Sequence, residues 1–187
     1  MPVISVTLME GYDEAVREDL SHRLYDAARL VTGAAADGVT VILNEVPASN
    51  YRRGRQRRVP GAPPAAPSAL VRDYLAAMEA RDLDAAKGFL GDGFTMTFPG
   101  AQRFTTLEQL VEWGSSRYRS IAKTYERFDD VAGAEGATVY CYGTLSGEWL
   151  DGTAFAGIRF IDRFEIANGR LTDQQVWNDL AEERAAR

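Results

Sequence analysis

The pattern of apolar positions predicts a strand, a helix and a second strand in the first sixty residues. Residues 3–8 and 39–43 are rich in β-branched and other apolar side chains, which is typical of strands. Between them, apolar residues recur at helical spacing from Asp13, a residue type that caps helix N-termini, to Gly33, a type that ends helices. Two strands joined by one helix predict a parallel, right-handed βαβ unit.

The remainder of the chain begins with helices and ends with long strands. The predicted helices are 69–80, 83–90 and 107–121, and the predicted strands are 94–98, 124–131, 137–149, 154–166 and 171–180. Turn signals such as Asn168-Gly169 separate the later strands. This order predicts an α+β fold, in which a curved antiparallel sheet and three helices form a cone-shaped barrel around a pocket.

A proline-rich stretch at 59–68 separates the N-terminal βαβ pattern from the helices and strands that follow it. This stretch holds four of the seven prolines. Proline restricts its neighbours, so we expect an extended, semi-stiff linker between a βαβ module at 1–58 and a cone domain at 69–187. One helix covers only one face of the two-stranded sheet. We therefore expect the first module to bury its other face in a homo-oligomer.

Composition narrows the possible functions. The 187 residues are 45% hydrophobic and 26% charged, as in ordinary globular proteins, and no apolar run is long enough for a membrane helix. The start of the chain has no secretory signal pattern, so a cytoplasmic location is expected. A single cysteine, Cys141, and a single histidine, His22, exclude an intramolecular disulfide and Cys-rich or His-rich metal sites. We predict no metal and no cofactor.

The charge distribution argues against nucleic acid as a partner, because the formal net charge is −6. The one local basic patch is the cluster of Arg52, Arg53, Arg55, Arg57 and Arg58. A solvated surface is the first interpretation of such a run, an anion site the second and a nucleic-acid surface the third. Only Tyr51 offers an aromatic ring beside it, which disfavours a stacking platform.

Pro2 follows the initiator methionine, which is normally removed before a small residue. Removal would leave a free secondary amine, which is a possible base or nucleophile. The alternative is that Pro2 merely starts an edge strand.

The N-terminal residues 2–58 resemble the 4-oxalocrotonate tautomerase family. The resemblance rests on Pro2, the apolar strand to Leu8, the Glu10-Gly11 turn, the amphipathic helix and the segment Asn44-Glu45-Val46-Pro47. It implies a βαβ fold that assembles into trimers or hexamers without a cofactor. It also implies that the mature N-terminal proline moves a proton between carbon and oxygen of a keto–enol substrate.

The same resemblance implies a set of site residues. Pro2 matches the catalytic position, and Tyr51 matches the aromatic residue that walls the site. Tyr12 and Thr40 stand where the founding members have substrate-binding arginines. Losing those cations should raise the pKa of the proline amine, unless Arg52, Arg53 or Arg55 restores the charge from another direction. The alternative is an oligomerising module without activity.

An acidic residue interrupts an apolar strand face at 156–166. Strict alternation places Asp162 between Phe160 and Phe164 on one face. A carboxylate there must pair, or its pKa must rise through desolvation, and a raised pKa suits a general acid or hydrogen-bond donor. The alternative is a structural acid bonded to a neighbouring tyrosine, tryptophan or arginine. Candidates for the pocket lining are Trp113, Tyr118, Tyr140 and Trp177, and Trp177 is also a possible partner for Asp162.

Residues 68–182 resemble the nuclear transport factor two-like superfamily, and the SnoaL-like polyketide cyclase branch is the most similar part of it. The resemblance rests on residues 74–78, Asp92-Gly93-Phe94, the run 160–171 and the segment 177–180. It implies that Asp162 lies inside the cone. There it would transfer a proton, as in the cyclases, or stabilise an oxyanion, as in ketosteroid isomerases. The pocket histidine of the cyclases has no match, because His22 lies in the other module.

Both resemblances imply proton transfer next to a carbonyl. The sequence therefore favours a cofactor-independent isomerase or tautomerase-type enzyme that acts on a small, partly apolar carbonyl or enol compound. Pro2 and Asp162 are the candidate catalytic residues. The alternative is a non-catalytic small-molecule-binding protein in which the tautomerase-like module serves as an oligomerisation platform.

Overall fold

A computed structural model describes residues 1–62, 65–133 and 135–185. The chain divides into two compact units, Met1–Pro64 and Ala65–Arg187. None of the helices in the described ranges combines the length and apolarity needed to cross a lipid bilayer.

The first unit contains one parallel pair of strands joined by a helix, followed by a short hairpin. Its elements are β1 (Val3–Met9), α1 (Glu14–Thr32), β2 (Thr40–Val46), β3 (Arg52–Arg53) and β4 (Gln56–Arg57). The predicted ends of the helix are confirmed. The Asp13 carboxylate accepts a hydrogen bond from the Val16 backbone N–H at 2.9 Å, and Gly33 adopts the left-handed conformation with φ 66°.

No side chain among residues 1–62 is buried. Apolar residues on the two strands remain open to solvent, with Val3 62% exposed and Ile42 43% exposed. Leu30 and Val31 at the end of α1 are also exposed. The first unit therefore has only a thin core, as is expected of about sixty residues with one helix.

The second unit is a six-stranded sheet with helices packed on one face. Its elements are α2 (Pro67–Glu79), α3 (Leu83–Lys87), β5 (Leu90–Phe98), β6 (Gln102–Phe104), α4 (Leu107–Ser115), β7 (Tyr118–Ala132), β8 (Gly136–Trp149), β9 (Ala154–Ala167), β10 (Arg170–Asn178) and α5 (Leu180–Ala185). The strand order is β6-β5-β10-β9-β8-β7. The α+β fold with a curved sheet is thus present.

Two details of the predicted cone are wrong. The sheet is mixed rather than antiparallel, because β10 pairs parallel with β5. The described residues of this unit form four helices rather than three, since a short helix follows the last strand. Alternation within one strand carries no information on the direction of its neighbour, so the sequence pattern could not distinguish the two sheet types.

Two helix boundaries differ from the predicted ones. The third helix ends at Ser115 rather than at residue 121, and strand β7 begins at Tyr118. The first helix of the unit begins at Pro67, so the last two residues of the predicted linker are helical. Proline is well tolerated at the first helical position, where its missing N–H has no intrahelical partner. Residues 63 and 64 of the linker, residue 134 and the final residues 186 and 187 lie outside the described residues.

The core of the second unit lies between the helices and the inner face of the sheet. Tyr74 of α2 packs edge-on against Phe164 of β9, with ring centroids 6.0 Å apart. The inward face of β9 runs from Ile158 to Ile166 as the alternation predicts. Before that run the register shifts at a bulge next to Gly157, so Phe155 rather than Ala156 is buried.

Candidate functional site

A cavity of about 360 Å³ lies in the second unit between the inner face of β7 and helices α2 and α4. Much of its wall is apolar, including Leu75, Met78, Phe98 and Ile121. The polar groups that reach it include Tyr74, Tyr118, Lys123, Tyr125 and Gln174. An apolar cavity of this size with a few convergent polar groups is typical of a small-molecule site.

Asp162 is fully buried beside this cavity, on the inner face of β9. Its Oδ2 atom accepts a hydrogen bond from Nζ of Lys123 and another, at 3.4 Å, from Nε2 of Gln174. The acidic residue therefore has a cation and an amide as partners. Trp177, the possible partner that the sequence suggested, is not one of them.

A chain of hydrogen bonds extends the pair to helix α2. The Tyr74 hydroxyl donates to Oε1 of Gln174 at 3.2 Å, and the Gln174 amide in turn donates to Asp162. Among the described residues, Oδ1 of Asp162 has no hydrogen-bond partner. Desolvation raises the pKa of Asp162, and the charge and hydrogen bond of Lys123 together with the Gln174 hydrogen bond oppose that rise.

Of this ion pair, Lys123 rather than Asp162 is the charged group that a bound molecule would meet. The Lys123 side chain is 21% exposed and lines the cavity, whereas the Asp162 side chain is 0% exposed and lies behind it. The ammonium also stands 4.5 Å from the centre of the Phe160 ring. An ammonium held in this way can donate a hydrogen bond to a carbonyl oxygen and stabilise negative charge that develops there.

Two tyrosines on β7 bring further hydroxyl groups to the cavity wall. Burial raises the pKa of both Tyr118 and Tyr125, so each is a neutral hydrogen-bonding group near neutral pH. The position of Tyr118 depends on Gly114 of α4, because a Cβ atom at Gly114 would lie 2.9 Å from the Tyr118 hydroxyl oxygen. Tyr118, one of the predicted lining residues, lies in the wall of this cavity.

Trp177 does not line the cavity. It lies opposite Ile161 on the outer face of the sheet and is 49% exposed. The reason is a bulge in β10 between Leu171 and Asp173, which reverses the alternation. After the bulge Gln174 and Val176 face inward, whereas alternation counted from Leu171 would have turned Trp177 inward.

Tyr140 and Trp113, the other two predicted lining residues, do not line the cavity either. Tyr140 alternates with buried Val139 and Cys141, so it lies on the outer face, opposite Arg163 of β9. Trp113 packs against the core, 5.7 Å from the Phe98 ring and 5.5 Å from the Phe104 ring. Trp113 is not part of the cavity wall.

In the first unit the predicted site residues fall into two groups at opposite ends of the strands. The Thr40 N–H donates to the Pro2 carbonyl oxygen at 3.1 Å, at the start of β1. Tyr12 and Tyr51 line a separate cavity of about 320 Å³ beyond the other end of this seven-residue strand. At about 3.3 Å per residue the two ends are roughly 20 Å apart. Within one chain the structure does not bring Pro2 to the two tyrosines.

Arg52 and Arg53, the candidate substrate-binding arginines, do not line the cavity of Tyr12 and Tyr51. Arg52 and Arg53 are exposed on the short hairpin, and Arg52 donates to the Ser49 carbonyl oxygen at 2.9 Å. The cation at the cavity of Tyr12 is Arg17, which the sequence analysis did not identify. Arg17 pairs with Glu45 at 3.0 Å and also donates to the Tyr12 carbonyl oxygen.

The residues of this cavity that the sequence analysis missed include Lys123 and Gln174. A signal for Lys123 was present, because Ile121, Lys123 and Tyr125 alternate on one strand face just as Phe160, Asp162 and Phe164 do. Extending the third helix to residue 121 hid that pattern. Gln174 had no comparable signal, because its face depends on the bulge in β10.

Comparison with protein families decides the identity of the second unit. The model of the SnoaL-like domain matches residues 71–174, which is more than half of the chain. The chain belongs to the SnoaL-like domain family. All of the matched residues lie in the unit that holds the Lys123–Asp162 pair.

Solved structures share the SnoaL-like fold of this unit. A nuclear transport factor two-like protein of unknown function from Burkholderia pseudomallei is 16% identical, with a TM-score of 0.54, and covers 64% of this chain and 95% of its own. TerC, co-crystallized with polyporic acid, is 12% identical with the same TM-score and the same coverage. A protein proposed to be a polyketide cyclase, from Xanthomonas campestris pv. campestris, is 18% identical with a TM-score of 0.52. It covers 64% of this chain and 94% of its own. Comparison with curated proteins found no match.

Proposed function

We propose that the SnoaL-like unit binds a small, partly apolar carbonyl compound and moves a proton next to its carbonyl group, without a cofactor. The observation that carries the proposal is the Lys123–Asp162 pair, whose cation faces a partly apolar cavity. A charge that the protein holds in place and partly shields from solvent interacts more strongly with a developing oxyanion than the same charge in water does.

In this mechanism Lys123 is the catalytic residue, and Asp162 and Gln174 are positioning residues. The Lys123 ammonium donates a hydrogen bond to the carbonyl oxygen of the bound compound, which makes the protons on the neighbouring carbon more acidic. A water molecule from the solvent removes one of these protons. The ammonium stabilises the enolate oxygen that forms, and the solvent returns a proton at another position. The net reaction is an isomerisation.

The comparisons support this class of ligand. TerC was crystallized with polyporic acid, and the Xanthomonas protein is proposed to be a polyketide cyclase. Both share the fold of this unit at low sequence identity. Fold alone does not determine a reaction, so the proposal depends on the polar groups of the cavity.

Deuterium exchange tests the proposal directly. We would incubate 2-tetralone with the full chain in D₂O and follow loss of its α-protons by NMR. The wild type is expected to accelerate exchange, and Lys123→Met should lose about 10²-fold or more of the acceleration, as expected for removal of a hydrogen-bond donor to the developing oxyanion. Trp177→Phe is the matched control, because that residue lies on the outer face. Exchange that is undiminished in Lys123→Met would contradict the proposal.

The alternative function is ligand binding without catalysis. It is favoured by the complete burial of Asp162, which keeps the carboxylate away from any bound molecule. A compound that binds in calorimetry, and whose exchange rate equals that in buffer, would establish this alternative.

We further propose that the first unit is a tautomerase-like module that assembles into a homo-oligomer. Its βαβ order, the absence of buried side chains among residues 1–62 and the exposure of Val3 and Ile42 support assembly. Catalysis by Pro2 requires removal of Met1, which intact mass reports. Ketonisation of phenylenolpyruvate that is lost in Pro2→Ala would support the activity. A monomer in light scattering would contradict the assembly.

A further inference from the structure

The charges around the cone cavity are mostly positive in a chain whose net charge is −6. Arg81, Arg119 and Lys123 contribute cations to the wall, and Glu79 contributes a carboxylate. Two of the three cations have partners, since Lys123 pairs with Asp162 and Arg119 pairs with Glu148 at 2.8 Å. Among the described residues, Arg81 has no ion pair.

The backbone at Arg81 is an unusual place for an arginine. Arg81 follows the last turn of α2 with φ 59°, in the left-handed region. Its N–H donates to the Met78 carbonyl oxygen, and the Asp82 N–H donates to that of Ala77, which together form a Schellman motif. Glycine adopts this position without steric cost, whereas a side chain there adds strain. The side chain of this strained residue lines the cavity, so a guanidinium group lies in the cavity wall.

Arg81 and Glu79 act on the pKa values of different tyrosines in the cavity wall. Burial raises the pKa of Tyr118, and the charge of Arg81, followed by that of Arg117, opposes the rise. Glu79 instead contributes to the raised pKa of Tyr125. Arg81 and Tyr118 both line the cavity, which therefore offers a guanidinium and a hydroxyl group to a bound molecule.

We propose that Arg81 is a specificity-determining residue that binds an anionic group of the substrate. The substrate class is then an acidic carbonyl compound: a ring-sized apolar body carries a carboxylate or acidic enol that Arg81 binds, and a carbonyl oxygen that Lys123 binds. A guanidinium presents a planar array of donors that matches a carboxylate. This inference rests on the proposed function of the same cavity.

Calorimetry with a matched acid and ester tests the inference. The probes are 1-hydroxy-2-naphthoic acid and its methyl ester, titrated into the full-length wild type, Arg81→Gly and Arg103→Gln. The wild type is expected to bind the acid at least tenfold more tightly than the ester. Arg81→Gly should lose that preference while its melting temperature is unchanged or higher, because glycine relieves the backbone strain. Arg103→Gln, which removes an exposed arginine on β6 outside the cavity wall, should keep the preference.

The outcomes separate this inference from the proposed function. Equal affinity of the wild type for acid and ester overturns the role of Arg81, and so does a tenfold preference that survives in Arg81→Gly. In either case the proposed function stands if Lys123→Met still abolishes deuterium exchange. If neither probe binds and the wild type also fails to accelerate exchange, both are overturned.

Discussion

Lys123 on β7 and Asp162 on β9 form an ion pair across the strand that separates them. In the sheet register Lys123 stands opposite Leu145 and Asp162 stands opposite Cys141, both on β8. These two positions on β8 are four residues apart, so the two side chains meet diagonally across the curved inner face of the sheet. The pair thereby connects the edge strand to the middle of the sheet and presents its cation to the cavity.

Removing the cation should destabilise the second unit strongly. Lys123→Met leaves the buried Asp162 carboxylate without its charge partner, for which a loss of about 3–5 kcal/mol in the free energy of unfolding is expected. The loss should be larger at pH 8 than at pH 5. Without the lysine the pKa of Asp162 rises further, so the folded state keeps a proton that the unfolded state loses as pH rises. Urea unfolding at the two pH values measures both effects.

A double variant supplies the control for this prediction. Lys123→Met combined with Asp162→Leu removes both charges, and it should recover most of the stability lost in the single variant. A single variant that loses less than about 1 kcal/mol, or a double variant that is no more stable than the single one, would show that the pair is not desolvated as the structure indicates.

Breaking the hydrogen-bond chain at Gln174 should also destabilise the unit. Gln174→Leu leaves the buried Tyr74 hydroxyl without the acceptor that it has at 3.2 Å, and the cost of an unpaired buried hydroxyl is about 1–3 kcal/mol. Adding Tyr74→Phe removes that unpaired group and should restore part of the loss. Thermal unfolding followed by tyrosine and tryptophan fluorescence compares the three proteins, and strict additivity of the two substitutions would exclude the coupling.

The free energy of unfolding should decrease with rising pH once the pH exceeds the ordinary pKa of a thiol. Burial raises the pKa of Cys141 from 9.0 to about 12, with the charge of Asp162 adding to the rise. Between these values the unfolded state releases the thiol proton and the folded state keeps it, so the free energy of unfolding decreases as pH rises. Buried Tyr74, whose pKa is also raised, acts in the same direction. Urea unfolding of Cys141→Ala should show a shallower decline between pH 9 and 12 than the wild type, and an equal slope would refute this assignment.

Ligand affinity should depend on Tyr118 and not on Trp177. Tyr118→Leu removes a hydroxyl from the cavity wall, and the affinity for 1-hydroxy-2-naphthoic acid should fall about tenfold, a change of about 1.4 kcal/mol. Trp177→Ser, on the outer face, should leave the affinity within a factor of two. Calorimetry measures both, and a larger effect at Trp177 would place the binding site on the other face of the sheet.

Several features followed from local sequence because their causes are local. The Asp13 and Gly33 ends of α1 depend on side-chain capping and on the freedom of glycine. The turn between β9 and β10 at Asn168-Gly169 has φ values of 51° and 70°, which those two residue types tolerate. The inward direction of Asp162 depends only on alternation within an unbroken stretch of strand.

Local pattern determined the α+β class, the two modules and the burial of one acidic residue. Tertiary structure decided that Lys123 is the partner of Asp162, because the two residues meet only when β7, β8 and β9 are in register. It also decided that Gln174 faces the cavity and Trp177 faces outward, since the bulge in β10 reverses which side chains point inward. A bulge depends on pairing with neighbouring strands, and pairing between residues far apart in sequence leaves no trace in the periodicity of either one.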